Sequence, residues 1–307
     1  MNFYSFSKPD FNDGDPYFCN LYRMCKSSNN SSRASVNLKE CINETHGRWL
    51  DGECDIVTHS GDFGIIPCRN SDNVYKLSHS PRCSPSFNIE IDSVARSVSR
   101  WFCTNMSHDI RENIFPVPVN VVEKPWEFDM ESVIRSDIRH IEKTNLCIAS
   151  FLVNTSARIS IAEWASEHDA INHFFPMLYP TQGVELETDI FSDEKQTMYQ
   201  RLRSVASHRF AICPIGRSVD TRLVWECILC NTVPIVQDTW CNRVFSRIWP
   251  MILVQNYEYS DIMNKANDFT ESHGLVEYDY SLLLKKNFHL LLDRVQYESV
   301  RARRQGV

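Results

Sequence analysis

The sequence predicts an α/β protein with a parallel sheet in its second half. Two observations support this class. Short apolar runs of strand length occur at residues 210–213, 233–236 and 251–254. Residues 220–230, between the first two runs, place their apolar side chains at helical spacing. A strand, a helix and a strand within about 30 residues form a βαβ unit, which builds a parallel sheet.

The first half gives weaker predictions, taken here in chain order. Residues 55–58 and 100–103 resemble short strands, and residues 115–119 must be extended because Pro116 and Pro118 disfavour helix in the preceding residue. The other predicted elements are a helix at 129–143, a buried strand at 146–153, a helix at 159–175 and a last helix with the apolar face Leu284, Phe288, Leu291, Leu292 and Val295. The basic residues 301–304 are expected to be a solvated tail.

Length and composition limit the possible classes of protein. A chain of 307 residues suggests two domains of about 150 residues each. The net charge of −7 disfavours bulk binding to nucleic acid. The longest apolar run, 146–153, is far shorter than the roughly 20 residues of a membrane-spanning helix. Because residues 1–10 also lack the pattern of a secretory leader, we expect a soluble cytoplasmic protein, or a Golgi or ER lumenal one if a leader is missing.

Cysteine usage allows two interpretations. Seven of the 12 cysteines lie within the first 103 residues, among several Asn-x-Ser/Thr sequons, which in a secreted chain would indicate disulfides and glycans. Without a leader, we favour reduced thiols and unused sequons. Cys227 and Cys230 form a CxxC in an apolar helical stretch, but no second pair has zinc-ribbon spacing. We therefore expect buried thiols there and no metal site.

The segment that suggests chemistry is residues 213–226, CPIGRSVDTRLVWE. It reads as a strand, a tight loop and the start of a helix, where free amides and the helix dipole favour an anion. Arg217 and Arg222 add positive charge suited to a diphosphate, and Glu226 could accept hydrogen bonds from a ribose diol. The alternative is an ordinary βα turn with surface arginines and a helix-face glutamate.

Four ordered segments carry a resemblance to a known family. They are residues 213–236, with CPxG, Asp-Thr-[basic], Trp-Glu and Pro-Ile-Val; residues 57–63 (VTHSGDF); residues 101–105 with 115–119 (WFCTN and FPVPV); and residues 151–158 (FLVNTSAR). Together they resemble the exostosin-like glycosyltransferases, a family with soluble members in large DNA viruses of algae. The resemblance covers roughly residues 55–265.

This resemblance implies a GT-B fold, with two Rossmann-like domains facing a cleft and a C-terminal helix packing back on the N-terminal domain. Residues 1–193 would form the Cys-rich acceptor-side domain, and residues 194–307 the domain that binds the nucleotide-sugar. The implied activity is inverting, metal-independent transfer from a donor, usually a UDP-sugar, to a glycan or glycoprotein hydroxyl. No other cofactor, no nucleic acid and no membrane span are expected.

In this hypothesis, one set of residues binds the diphosphate and the nucleoside of the donor. These residues are Arg158, Pro214, Gly216, Arg217, Ser218, Asp220, Thr221, Arg222 and Glu226. His59 and Asp62 are the candidate base region, because a histidine oriented by a carboxylate suits proton abstraction. His59 and Asp62 could instead only shape the turn, and Arg158 could be a solvated arginine at a helix start.

The chain departs from the family pattern at three places. It has Arg217-Ser218 where the family usually has Asn-Gly, Arg222-Leu223 where it has His-Arg, and Asn231 where it has Gly. Lost glycines restrict how closely a backbone approaches phosphate, which keeps a degenerate, non-catalytic nucleotide- or sugar-binding module as the alternative function. A glycoside hydrolase lacks a nominated carboxylate pair. The sequence also lacks the Gly-x-Ser-x-Gly and His-Glu-x-x-His motifs of serine and zinc hydrolases.

Overall fold

The computed structural model describes most of the second half of the chain and separate strands of the first. The described ranges are 20–25, 34–37, 54–59, 64–67, 75–78, 87–89, 100–103, 106–119, 130–153, 155–175, 198–216, 219–284 and 287–306. Their strands are β1 (Asn20–Cys25), β2 (Ala34–Asn37), β3 (Cys54–His59), β4 (Gly64–Pro67), β5 (Tyr75–Ser78), β6 (Phe87–Ile89), β7 (Arg100–Cys103), β8 (Ile114–Pro116), β9 (Asn145–Ser150), β10 (Ile171–Phe174), β11 (His208–Cys213), β12 (Val233–Gln237) and β13 (Ile252–Val254).

The described residues also form helices, most of them in the second half of the chain. They are α1 (Met130–Ser136), α2 (Ser156–Ser166), α3 (Met198–Ala206), α4 (Arg222–Leu229), α5 (Trp240–Phe245), α6 (Tyr259–His273) and α7 (Phe288–Arg304), with short 3₁₀ turns at Ile138–His140 and Ser281–Leu283.

The predicted parallel sheet is confirmed. Its strand order is β10-β9-β11-β12-β13, and every pairing in it is parallel. The central strands β9, β11 and β12 are buried almost along their whole length, as expected for a sheet covered by helices on both faces. Because β9 and β10 belong to this sheet, it extends across the predicted domain boundary at residues 193 and 194.

A second sheet, in the first half, has the order β2-β1-β3-β7-β8. Strand β1 is antiparallel to both β2 and β3, whereas β3, β7 and β8 run parallel. The strands predicted at 55–58 and 100–103 are therefore confirmed as β3 and β7. Strands β4, β5 and β6 form a separate antiparallel sheet.

Two helices are shorter than the sequence predicted. The helix predicted at 129–143 ends at Ser136, because Asp137 leaves helical geometry and its carboxylate binds Tyr199 and Arg203 of α3. The helix predicted at 159–175 ends at Ser166, and residues 171–174 pair with β9 instead. Short apolar runs are ambiguous between helix and strand, and here the sheet pairing decides.

Aromatic side chains form the centre of the core beside the parallel sheet. The ring of Trp225 packs edge-on against Phe245 and Trp249, with centroids 5.1 and 5.4 Å away. Trp225 is fully buried in this core. Cys227 and Cys230 are buried as expected, and both are free thiols.

The C-terminal helix packs back on the first half, as predicted. Arg100 of β7 donates to Asp293 and Gln296 of α7 at 2.6 and 2.8 Å. At the far end of α7, Arg303 donates to both carboxylate oxygens of Asp109 and to the carbonyl of Ile114.

The prediction that residues 301–304 are a solvated tail is wrong for Arg303. Its side chain is only 17% exposed. Its guanidinium lies 5.4 Å from the centroids of both Phe115 and Trp240, so aromatic rings from both halves contact it.

Among the described residues, no helix has the length and apolarity needed to cross a membrane.

Candidate functional site

The candidate site lies at the carboxyl edge of the parallel sheet. After β9 the chain returns through α2 to β10 on one side, whereas after β11 it continues through α4 to β12 on the other. The order therefore reverses between β9 and β11. In open α/β sheets the loops diverge at such a point and leave a crevice, which is where ligands usually bind.

Arg158 fills this crevice. It lies in the first turn of α2, whose N-cap Thr155 accepts from the Arg158 amide. The guanidinium donates to the carbonyl of Leu152 after β9 at 2.9 Å, and to Pro214 and Ile215 after β11 at 2.9 and 3.2 Å. Arg158 is thus a buried residue that joins the two diverging loops, not the solvated arginine of the alternative interpretation.

The charge of Arg158 is largely shielded from solvent. The residue is 8% exposed, and burial lowers the pKa of its guanidinium to about 10, so it is still charged at neutral pH. Three of its hydrogen bonds end on carbonyl oxygens of the two loops. A buried positive charge at the carboxyl edge favours an anionic ligand nearby.

Gly216 is required by the position of Arg158. A Cβ atom at residue 216 would lie 2.6 Å from Nη2 and 2.7 Å from Cζ of Arg158, closer than side chains pack. Gly216, predicted as part of the phosphate loop, therefore leaves room for the Arg158 guanidinium. Pro214 accepts a hydrogen bond from the same guanidinium through its carbonyl oxygen.

Asp220 has a different role from the one its position suggested. It precedes α4, which begins at Arg222. It is 1% exposed, and its two oxygens accept from the amide of Val119 at 2.7 Å and from Nε1 of Trp225 at 2.9 Å. Burial raises the pKa of this carboxyl to about 7. Asp220 therefore ties the segment after β8 to the start of α4.

The start of α4 keeps unused polar groups. Thr221 is the N-cap residue, yet its hydroxyl makes no capping bond, and its Oγ1 is buried without a partner in the part of the chain that the structure describes. Arg222 follows it and is exposed. An open helix N-terminus with an exposed arginine beside it retains the anion-binding features predicted from the sequence.

Glu226 is buried rather than open to the crevice. It is 4% exposed, and one carboxylate oxygen lies 2.8 Å from Nη2 of Arg201 in α3. A ribose would have to displace Arg201 to reach it in this conformation. The role of Glu226 toward a ribose stays a prediction.

Some predicted residues lie outside the described part of the chain. These are Arg217, Ser218 and Asp62. His59 is the last residue of β3, at the carboxyl end of that strand, and its side chain is likewise not described.

The Asn231 departure does not touch the site. Asn231 follows α4 and therefore lies toward the amino edge of the sheet, away from Gly216. Its φ of 55° is the left-handed conformation that glycine adopts readily and asparagine tolerates. Its side-chain oxygen accepts from the amide of Tyr278 at 3.0 Å, so this asparagine adds a contact that glycine cannot make.

Tyr257 is a residue of the site that the sequence reasoning missed. Its hydroxyl donates to the carbonyl of Cys213 at 2.9 Å, which fixes the end of β11 just before the Pro214–Gly216 turn. Burial raises the pKa of this phenol well above its usual range, so it is a donor at any working pH. It lies about 40 residues from the loop that it supports, and no local spacing signals such a contact.

No group of three or more potential metal ligands is present among the described residues. The amino-acid sequence matches no family model and no curated protein.

Several solved structures are similar to this chain at low identity. Trehalose-6-phosphate synthase from E. coli bound with UDP-2-fluoro glucose is 10% identical, with 55% of this chain and 44% of that chain covered and a TM-score of 0.33. An alpha1,3-fucosyltransferase with GDP is 9% identical, with 65% and 70% covered and a TM-score of 0.33. A GtfA/B complex is 8% identical, with 82% and 51% covered and a TM-score of 0.35. This chain spans just under half the length of the trehalose-6-phosphate synthase chains, and likeness at this level decides nothing about activity.

Proposed function

We propose that the protein is a glycosyltransferase that takes a sugar from a nucleotide-sugar donor. The observation that carries the proposal is the buried guanidinium of Arg158 at the point where the strand order reverses, beside the open N-terminus of α4. A fixed cation and a helix N-terminus at this edge suit a diphosphate, which is the group shared by these donors. The ordered motifs that resemble exostosin-like glycosyltransferases are the basis for proposing a nucleotide-sugar as the donor.

The diphosphate would lie against the loop from Pro214 to Thr221. Arg222 reaches it from the exposed first turn of α4, and Arg217 adds charge from the same loop. Arg158 acts mainly as a fixed positive charge, since its N–H groups already hold the loop carbonyls. These charges stabilise the nucleoside diphosphate as it leaves, which is the step at which negative charge develops.

Transfer with inversion also needs a base at the acceptor hydroxyl. In our proposal His59, at the carboxyl end of β3, takes this proton and Asp62 orients the imidazole. The acceptor oxygen then bonds to the anomeric carbon while the bond from that carbon to the diphosphate breaks. A UDP-sugar is the proposed donor, and a glycan or glycoprotein hydroxyl is the proposed acceptor.

One observation favours the second candidate, a module that binds nucleotide or sugar without turnover. The carboxylate of Glu226 is already paired with Arg201, so the group assigned to the ribose is occupied. The two candidates differ in one measurable outcome. The enzyme releases nucleoside diphosphate from its donor when an acceptor is present, whereas the module binds the donor and leaves it intact.

A thermal-shift panel of UDP- and GDP-sugars tests donor binding. Arg222→Ala should lower the affinity for the stabilising donor about tenfold, because a charge-assisted contact to phosphate is lost. Arg304→Ala removes an exposed arginine at the end of α7 and is the matched control. If no nucleotide-sugar stabilises the protein, or if both variants behave alike, the proposed function is wrong.

A further inference from the structure

A polar cavity of about 590 Å³ lies between the two halves of the chain. One wall is the loop after β7, with Ser107, His108 and Asp109. The opposite wall follows the carboxyl end of β12, with Asp238 to Trp240 and Arg243. Arg303 closes it from the end of α7. The size is within the range of small-molecule sites, which is roughly 300–1,000 Å³.

Backbone hydrogen bonds hold the two walls together. The amide of Trp240 donates to the carbonyl of Ser107, and the amide of Cys241 donates to the carbonyl of Met106, both at 3.1 Å. The first amides of α5 are therefore used by the protein itself. The walls are fixed in place by main-chain contacts, so side chains of the cavity can change without separating the walls.

The charged groups of the cavity are paired one to one. Arg243 binds both carboxylate oxygens of Asp238, with Nη2 to Oδ2 at 3.0 Å. Arg303 binds both oxygens of Asp109, with Nη2 to Oδ1 at 2.7 Å. A phosphate or carboxylate entering the cavity would meet two carboxylates whose guanidinium partners are already engaged. The cavity therefore disfavours an anion, in contrast to the crevice at Arg158.

The same groups suit a ligand rich in hydroxyls. Asp238 also accepts from Gln255 at 2.7 Å, yet each carboxylate keeps a lone pair that can accept from a hydroxyl. The hydroxyl of Ser107 can donate and accept, whereas Oγ1 of Thr239 is already used as the N-cap of α5. His108 adds a ring whose Nδ1 lies 2.7 Å from Oγ of Ser107. Trp240 adds only a small apolar contact, since it is 6% exposed and its indole nitrogen is buried.

From this balance of paired charge and hydroxyl-binding groups, we infer that the cavity binds a neutral sugar, which serves as the acceptor. The acceptor role rests on the proposed glycosyltransferase function. It is supported by position, because β12 pairs directly with β11, whose carboxyl end carries the Arg158 crevice. Adjacent strands are about 4.8 Å apart, so the two sites adjoin along one edge of the sheet.

Saturation-transfer NMR with small glycosides tests the inference. The probes are methyl glycosides of glucose, galactose, mannose and xylose, with glucuronic acid and glucose 6-phosphate as anionic counterparts. We expect at least one neutral glycoside to bind, and the anionic sugars to bind at least tenfold more weakly. Asp238→Asn and Ser107→Tyr should each weaken neutral binding at least fivefold, the first by removing acceptor capacity and the second by filling the cavity.

Arg203→Gln is the control, because it breaks an Arg–Asp pair with Asp137 outside the cavity; that pair is more exposed than the Arg243–Asp238 pair. The inference is overturned if none of the neutral glycosides binds, if anionic sugars bind better, or if both cavity variants bind like the control. Nucleotide-sugar binding is measured separately on the same variants, and we expect it to be unchanged. Glycoside binding without any nucleotide-sugar binding would refute the proposed function and the acceptor role with it, and leave a sugar-binding module.

Discussion

Replacing Gly216 by alanine tests the arrangement of the crevice most directly. The new Cβ would lie 2.6–2.7 Å from the guanidinium of Arg158, so the guanidinium must move. Moving it breaks bonds to the carbonyls of Leu152, Pro214 and Ile215. Each hydrogen bond from a charged donor contributes about 1.5–3 kcal/mol.

Two effects reduce the expected loss. The displaced guanidinium regains water, and alanine restricts the unfolded chain, which by itself stabilises by about 0.4–1 kcal/mol. We therefore expect Gly216→Ala to lower the free energy of unfolding by about 2 kcal/mol. For a chain of 307 residues that unfolds as one unit, this corresponds to a fall in Tm of roughly 3 °C.

A double-mutant cycle separates this mechanism from a general effect of the loop. In an Arg158→Met background the guanidinium is absent, so Gly216→Ala should cost less than about 0.5 kcal/mol. Urea unfolding of the four proteins gives the coupling energy, and a thermal shift with the stabilising nucleotide-sugar gives the effect on binding. If the cost of alanine is the same in both backgrounds, Arg158 is not what requires glycine at this position.

Three further predictions concern buried charges. Burial raises the pKa of Asp220 from 3.8 to about 7, so the protonated form favours folding; this stabilisation is present below about pH 4 and is lost as the pH rises through 7. Between pH 4.5 and 8 this dependence amounts to about 3 kcal/mol in the free energy of unfolding. Asp220→Asn should remove it when urea unfolding is measured across this pH range, and an unchanged profile contradicts the prediction. Arg303→Gln should lower the free energy of unfolding by about 3 kcal/mol, because it leaves the Asp109 carboxylate and carbonyls unpaired. The control Arg304→Gln should change it by no more than about 0.5 kcal/mol. Equal costs would show that Arg303 does not hold α7 on the first half. Glu226→Gln should cost about 1–3 kcal/mol by depriving Arg201 of its counterion, without changing nucleotide-sugar affinity; a tenfold loss of affinity at unchanged stability would instead support the ribose role.

The parallel sheet could be predicted because its signal is local. The runs at 210–213 and 233–236 are short, apolar and separated by one helix, and this pattern has few other solutions. The ends of α1 and α2 could not be predicted the same way. The first depends on Asp137 reaching Tyr199 and Arg203, and the second on residues 171–174 pairing with β9, both of which are long-range contacts.

The candidate site was predictable by position and less so by role. Gly216 and Arg158 belong to separate motifs, yet only the folded chain shows that one makes room for the other. Asp220 and Glu226 were predicted to face the donor from their place in the 213–226 motif, Glu226 as an acceptor for a ribose diol. Their actual partners, Val119 and Arg201, lie far away in sequence and carry no pattern that points to them.

The contact between Arg303 and Asp109 has a consequence for folding during synthesis. Asp109 leaves the ribosome 194 residues before Arg303. Strands β7 and β8 therefore lack their covering helix until residues 288–304 have been made. A nascent chain halted before α7 should expose this unfinished surface, and we expect chaperones to bind there.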